Sequence, residues 1–169
     1  MTVSIEYPEF GRPDVDAAIT AFREDLVTTL KEQVKDHEHE AGTRATLSVS
    51  YRIVWRTLRY ASVVFDVSVS SGELADTFHY VHAATYDLRG DRQISLGDLG
   101  SDTVIVARTE AQERLRDTEG VDVKLIGRAS LNEFVLRGDE VVFFLNPGQV
   151  AAPEKGVVEV AVPRGSFSK

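Results

Sequence analysis

Leu47-Ser48-Val49-Ser50-Tyr51-Arg52-Ile53 is the stretch that decides the fold, because apolar and polar residues alternate strictly along it. A period of two is typical of a strand with one face buried and the other in water. A second alternating run extends from Ala61 to Val69, and a third places an apolar and aromatic row on one face between Phe78 and Leu88. The segment from Val54 to Tyr60 is predicted to turn the chain between the first two strands. Hairpins of this kind predict an antiparallel sheet.

Two amphipathic helices flank these strands in the sequence. The first follows the turn residues Gly11-Arg12-Pro13-Asp14, and its apolar residues recur at spacings of three and four. These residues are Val15, Ile19, Phe22, Leu26, Leu30 and Val34. The second helix is predicted to begin at Ser101-Asp102. Its apolar stripe contains Val104, Ile105, Ala111 and Leu115.

The C-terminal part adds a hairpin across Arg137-Gly138-Asp139-Glu140 and a last strand from Val157 to Val162. The order of helix, strands, helix and strands predicts a single α+β domain over residues 1–169, in which two helices pack on an antiparallel sheet. We expect the first helix to cover a sheet face that contains Phe65, Val67, Phe144 and Val160.

Composition excludes several classes of function. The chain has 27 acidic against 19 basic residues, a formal net charge of -8, which disfavours nucleic acid and anionic membranes as partners. Cysteine is absent, so thiol nucleophiles, disulfides and cysteinyl metal sites are excluded. No apolar stretch is long enough to span a bilayer, and the N-terminus lacks the features of a signal peptide. We therefore expect any anchor or export signal to lie outside this chain.

Histidines are the first candidates for metal-binding and catalytic residues, and no spacing of carboxylates favours a glycoside-hydrolase pair. His37 and His39, within Asp36-His37-Glu38-His39-Glu40, would lie about 200° apart around a helix axis and cannot share an ion. His79 and His82 project to opposite faces of a strand. The sequence contains no Gly-x-Ser-x-Gly motif. We predict no catalytic residue, metal or cofactor, and keep a weak esterase or wall hydrolase with His79 or His82 as its base as the alternative.

Two further motifs have a structural and a functional interpretation. Arg89-Gly90-Asp91 spells an integrin-type tripeptide, but a hairpin turn with glycine at positive φ explains it better. Trp55, the single tryptophan, is either an exposed ligand anchor or a ring packed under a turn, and we favour packing.

An ordered series of segments resembles the RsiV-type extracytoplasmic domain family over nearly the whole chain. The matching segments are Ile5–Pro8, Ser62–Val67, Thr85-Tyr86-Asp87-Leu88-Arg89-Gly90, Ile94-Ser95-Leu96-Gly97-Asp98-Leu99, Phe134–Leu136, Val142–Pro147, Val150–Gly156 and Val158–Pro163. The family includes the outer domain of the anti-sigma factor RsiV, a module of some peptidoglycan deacetylases, and secreted mycobacterial antigens. The chain departs from the family pattern at Ser71–Asp76 and at Glu154, where glycine-glycine-alanine-histidine and tyrosine are usual.

The resemblance implies an extracytoplasmic, non-catalytic binding or sensing domain of a cell-envelope protein. Its implied ligand is a protein such as lysozyme, or a cell-wall glycan. The alternative is an ancillary domain of a polysaccharide deacetylase.

Three connections are predicted to bind the partner, because the core does not need them. They are residues 55–60, 70–77 and 146–156. The candidate binding residues are Trp55, Arg56, Arg59, Tyr60, Glu73 and Asp76. The cluster of Arg52, Arg56 and Arg59 favours an anionic partner and disfavours the basic surface of lysozyme.

Overall fold

The structure, a computed structural model, describes residues 2–36, 45–71, 77–127 and 129–167. It confirms the α+β class and the two helices, α1 (Pro13–Asp36) and α2 (Thr103–Leu115). The described strands form two sheets, however, where the sequence predicted one. The first contains, in order, β1 (Thr2–Ile5), β2 (Ala45–Arg56), β3 (Tyr60–Ser71), β4 (Thr77–Asp87) and β5 (Arg92–Gln93). The second contains β6 (Phe134–Arg137), β7 (Glu140–Leu145) and β8 (Val158–Pro163).

All described strand pairs are antiparallel except the first. β1 pairs in parallel with β2, because the whole of α1 separates the two strands and brings the chain back to the same end of the sheet. The short return strand predicted between Gln93 and Leu96 is only two residues long, and the chain then enters a 3₁₀ turn at Leu96–Leu99.

Helix α1 packs on one face of the first sheet. Val15 and Ile19 are buried against that face, together with Phe65 and Val67. The ring of Phe22 lies 5.1 Å from that of Phe65. This part of the predicted core is confirmed, while the side chain of Leu30 lies outside the described part of the chain.

Phe144 and Val160 were wrongly assigned to this core. Val160 belongs to a second core between α2 and the second sheet, and Phe144 belongs to a third core between the two sheets. Strand β7 is apolar from Val141 to Leu145 because both of its faces are buried, so its sequence does not show which face meets which layer. The layers therefore follow the order α1, first sheet, second sheet, α2.

The buried stripe of α2 differs from the prediction. Ile105 is 67% exposed, whereas the buried residues are spaced by four. They are Thr103, Ala107, Ala111 and Leu115. Small side chains in the middle of this stripe allow the helix to approach the second sheet closely, so its most apolar residues do not mark its buried face.

A β-bulge at Val54 corrects the predicted turn. Strand β2 continues to Arg56, and only residues 57–59 turn the chain into β3. Ile53 pairs with Val63, but Trp55 pairs with the next residue, Ser62, so Val54 is an extra residue in the ladder. The bulge reverses which face Trp55 occupies, and its ring packs towards the core beneath α2.

Polar side chains join the two sheets where backbone groups lack a neighbouring strand. The Ser62 hydroxyl donates to the carbonyl oxygen of Leu136 (2.6 Å), and the Leu136 amide donates to Thr85 Oγ1 (2.9 Å). The Asn146 side chain similarly bonds both the amide and the carbonyl of Val81. These contacts provide hydrogen-bond partners for backbone groups at the outer edges of β6 and β4. They also fix the position of the second sheet on the first.

Candidate functional site

The end of the β2–β3 hairpin brings two aromatic rings together. Trp55 and Tyr60 stack with their ring centroids 6.1 Å apart and an interplanar angle of 19°. Both rings are half-buried and pack against the core beneath α2. The packing interpretation of Trp55 therefore agrees with the structure, and part of each ring still faces solvent.

Two arginines lie on the ring of Tyr60. The guanidinium carbon of Arg59 is 4.9 Å from the ring centroid, and that of Arg164 is 6.0 Å away. Sequence reasoning missed Arg164, because it follows β8 and reaches Tyr60 only through the packing of the two sheets. Leu58, at the tip of the hairpin, is 90% exposed. We call these five residues, Trp55, Leu58, Arg59, Tyr60 and Arg164, the hairpin-tip surface.

Asp87 holds Arg59 in place. The guanidinium donates to Asp87 Oδ2 from Nε (3.2 Å) and Nη2 (3.0 Å). The other carboxylate oxygen accepts the amides of Arg89 and Gly90, each at 3.0 Å. The hydrogen bond from Arg59 and these two amides lower the pKa of Asp87 against the opposing effect of burial. Arg59 is thereby fixed on one side, while its guanidinium remains about half exposed.

A second ion pair joins β5 to the 3₁₀ turn that follows it. Arg92 donates to both carboxylate oxygens of Asp98, at 2.8 and 3.0 Å. This bidentate contact is the first cause of a lowered pKa of Asp98, and hydrogen bonds from Ser95 add to it. The Asp98 carboxylate thereby joins the 3₁₀ turn that follows β5 to Arg92 and to the Ser95 amide.

The structure separates the three arginines that were predicted to form one cluster. Arg56 points to the α1 side of the sheet, with its guanidinium 5.7 Å from the ring of Phe10. Arg52 pairs with Asp66 (3.4 Å) on the opposite face. Of the three, only Arg59 has its guanidinium over the ring of Tyr60. The bulge at Val54 puts Arg56 on the α1 face of β2, whereas Arg52 shares the face of Trp55 but pairs with Asp66.

The two other predicted binding segments are residues 70–77 and the connection after β7, residues 146–156. Glu73 and Asp76 lie outside the described residues. In the connection after β7, Asn146 uses its side chain to bond Val81 of β4, so this part of the connection has a structural role.

The two described histidines lie on opposite faces of β4, as predicted. His82 stacks on Phe22, with centroids 4.1 Å apart, and its Nδ1 lies 3.0 Å from Glu133 Oε2. His79 is exposed and lies opposite Ser68 in the strand register. None of the hydrogen bonds found between described residues joins either histidine to a serine or threonine hydroxyl, so no nucleophile–base pair is formed among them.

The Arg-Gly-Asp tripeptide has a structural role that differs in detail from the prediction. The residue with positive φ is Asp91 (φ 48°), and Gly90 is not in the left-handed region. Asp91 Oδ1 accepts the amide of Val15 at 3.1 Å, near the start of α1. A Cβ at position 90 would lie 3.3 Å from the Asp87 carboxyl, so a larger residue than Gly90 would need that side chain to shift by a few tenths of an ångström.

Neither a group of metal ligands nor a membrane-spanning helix is found in the described part of the chain. No three histidine or acidic residues there are grouped to hold an ion. None of the helices in those ranges has both the length and the hydropathy of a membrane-spanning segment.

Two solved structures of the DUF3298 family share this fold. One, from Bacteroides fragilis, has a TM-score of 0.64 and 15% identity, and the match covers 90% of this chain and 64% of that one. The other, from Pseudomonas aeruginosa, has a TM-score of 0.71 and 14% identity, and the match covers 98% and 83% of the two chains. The chain thus spans less than two thirds of the Bacteroides protein.

At these identities the likeness shows the fold alone. DUF3298 is the family to which the RsiV-type domain belongs, so the fold agrees with the resemblance found in the sequence. No family model and no curated protein matches the chain.

Proposed function

We propose that this chain is a non-catalytic binding domain of a cell-envelope protein, and that its ligand docks on the hairpin-tip surface. The observation that favours this function is the pair of arginines whose guanidinium carbons lie 4.9 and 6.0 Å from the ring centroid of the half-buried Tyr60, next to Trp55 and the exposed Leu58. Tryptophan, tyrosine and arginine are the residue types that contribute most to binding energy when a partner removes them from water.

The ligand class follows from the donors that remain free to bind. A guanidinium stacked on a ring presents its N–H groups at its edge, where they match a carboxylate or phosphate. Arg59 already uses two of its donors on Asp87, whereas Arg164 has no acidic partner among the ion pairs of the described residues. The preferred partner is therefore an anionic protein surface or an anionic wall polymer.

Calorimetric titration of purified protein tests this assignment. The probes are soluble peptidoglycan fragments, whose peptide stems carry carboxylates, and lysozyme, whose surface is basic. We expect the fragments to bind, and both Arg164→Ala and Leu58→Asp to weaken that binding by roughly tenfold or more, the scale of a moderate hot spot.

Arg23→Ala is the matched control. Arg23 also lies on a tyrosine ring, 4.9 Å from the centroid of Tyr7, but it belongs to α1. Binding that all three variants weaken equally, or none of them weakens, would remove the hairpin-tip surface from the site. Turnover of fragments or acyl esters that disappears in His79→Ala or His82→Ala would instead establish the hydrolase.

A further inference from the structure

One edge of the first sheet is only partly covered by a neighbouring strand. β1 pairs with β2 from Thr46 to Val49, and beyond this the Glu6 amide donates to the Val49 carbonyl. Pro8 has no N–H to extend the ladder, and it is buried as the chain leaves the edge. Strand β2 continues to Arg56, so its outer edge beyond Val49 has no partner strand among the described residues.

The backbone of Tyr51 and Ile53 faces this uncovered edge. The N–H and C=O of a strand residue point to the same side, and the side alternates from one residue to the next. Because the Val49 carbonyl faces β1, both groups of Tyr51 and the N–H of Ile53 face the same way. No hydrogen bond to these three groups is found within the described ranges. We call Tyr51, Arg52 and Ile53 the open edge.

Two apolar side chains of the open edge are also exposed. Leu47 and Val49, beside β1, are 1% and 2% exposed, whereas Tyr51 and Ile53, beyond its end, are 36% and 39% exposed. All four lie on the α1 face of β2, where the Tyr51 ring is 6.5 Å from that of Phe65. The surface that β1 covers on one half of the strand is therefore uncovered on the other half.

The opposite edge of the same sheet is protected. On β4 the Asn146 side chain bonds both backbone groups of Val81, and the Glu133 carboxylate accepts the amide of Ala83 at 2.6 Å. These side chains occupy the groups that an added strand would need. No such side chain is found on the open edge in the part of the chain that the structure describes.

Two arginines flank the open edge and keep free donors. Arg52 lies at its centre, on the face away from α1, and the one hydrogen bond found for its guanidinium joins Nε to Asp66 at 3.4 Å. Arg56 follows the edge, with its guanidinium 5.7 Å from the Phe10 ring and in none of the ion pairs of described residues. Their remaining N–H groups suit a carboxylate.

A second copy of the chain fits the open edge poorly. In an antiparallel pair of β2 strands, the register that uses both Tyr51 and Ile53 places Arg52 directly opposite the Arg52 of the other copy. Like charges in that position destabilise a strand pair. A strand with an acidic residue opposite Arg52 would instead be attracted.

We infer that the open edge binds an extended peptide segment of a partner protein, which adds a strand to β2 beyond the end of β1. The segment has an acidic residue opposite Arg52, between two apolar residues that cover Tyr51 and Ile53. Main-chain hydrogen bonds supply affinity in this mode of recognition, and alternate side chains supply specificity. The bulge at Val54 interrupts the regular ladder, so the added strand is short. This inference goes beyond the proposed function, because it assigns a second surface that shares no residue with the hairpin-tip surface.

Titration of isotope-labelled protein with synthetic peptides tests the open edge. The probe is a capped heptapeptide in which valine alternates with glutamate. Two further peptides are N-methylated, one on its valines and the other on its glutamates. An added strand uses the N–H groups of only one of these two sets. We expect amide shifts centred on residues 50–56, and roughly tenfold weaker binding by one N-methylated peptide than by the other.

A protein variant tests the same pairing from the other side. Ile53→Pro removes the N–H that faces the open edge but takes no part in the β2–β3 ladder, and proline is tolerated on edge strands. We expect it to weaken binding of the unmethylated peptide roughly tenfold or more. The control is Ile105→Ala, at an isoleucine of α2 that is also exposed, which should bind like the wild type.

Absence of shifts in wild-type protein, or equal binding by the two N-methylated peptides, would overturn the inference, and the peptide comparison decides even if Ile53→Pro does not fold. A dimer in sedimentation experiments that Ile53→Pro abolishes would assign the open edge to a second copy and also overturn it. None of these outcomes affects the proposed function, which is tested with peptidoglycan fragments and Arg164→Ala.

Discussion

At the scale of single residues, Asp91 joins two parts of the chain that are 76 positions apart. Its carboxylate accepts the Val15 amide, and its backbone adopts φ 48°. We predict that Asp91→Ala lowers the free energy of unfolding by about 1–2 kcal/mol. The change removes the acceptor of the Val15 amide, and alanine adopts a positive φ less readily than aspartate because its side chain cannot hydrogen-bond to the nearby backbone. Asp91→Asn keeps an acceptor and tolerates this φ, so urea denaturation should show a much smaller loss. Equal losses in the two variants would argue against the cap.

Asp87 gives the molecule a predictable dependence on pH. Because its pKa is lower in the folded state than the ordinary value of about 3.9, its contribution to stability is present above that value and is lost as the pH falls through the folded pKa. We predict that urea midpoints of Arg59→Gln fall less steeply than those of the wild type below about pH 4, since the first cause of the lowered pKa is removed. The pKa of Asp98 is also lowered, so this residue contributes to the loss of stability over the same acidic pH range. The variant Asp98→Asn removes its contribution and leaves that of Asp87. Parallel curves for Arg59→Gln and wild type would contradict this account.

At the scale of secondary structure, the contact between β3, β4 and β6 depends on two buried hydroxyls. Ser62 and Thr85 hydrogen-bond to each other (2.9 Å) and to the backbone of Leu136. We predict that Thr85→Val costs about 1–3 kcal/mol, since it leaves the buried Leu136 amide without an acceptor. Ser62→Ala should be coupled to it in a double-mutant cycle. The control Ser68→Ala, on the same face of β3 but half-exposed, should change stability by less than about 0.5 kcal/mol.

The elements that the sequence predicted well are those with a regular period. The alternation of β2 and β3 and the stripe of α1 identify the faces that pack together, because each of these elements has apolar residues on one face and mostly polar residues on the other. The bulge at Val54 has no such pattern: Val54 and Trp55 are both apolar, so the reversal of faces is invisible until the pairing with Val63 and Ser62 is known. For this reason the sequence placed Trp55 and Arg56 in one binding loop, whereas they lie on opposite faces of β2.

At the scale of the whole molecule, the number of layers could not be predicted from the same patterns. Strand β7 is buried on both faces, and the buried stripe of α2 consists partly of alanines. The sequence of neither element therefore indicates which layer packs against it. The contact of Arg164 with Tyr60 depends on this layering and was therefore also missed. The hairpin-tip surface is a product of tertiary packing, so its five residues could not be grouped from the sequence.

The layered arrangement also predicts how the molecule unfolds. Phe22 lies in the core beneath α1, whereas Trp55, the single tryptophan, reports on the core beneath α2. The first sheet contributes residues to both the α1 core and the inter-sheet core. Unfolding of one core should therefore destabilise the others, so that the whole domain unfolds in one transition. We expect Phe144→Ala, at a ring that is 2% exposed, to cost about 3–5 kcal/mol, and Phe22→Ala to cost less because its ring is half-buried.

In Phe22→Ala, tryptophan fluorescence and far-ultraviolet circular dichroism should still report one common urea midpoint, lower than that of the wild type. Phe144→Ala provides the comparison, since it lies between the sheets and must affect both probes in any arrangement of the layers. If the fluorescence midpoint of Phe22→Ala stayed at the wild-type value while the dichroism midpoint fell, the two sheets would unfold as separate units. Residues 1–169 would then not form the single cooperative domain that the sequence predicts.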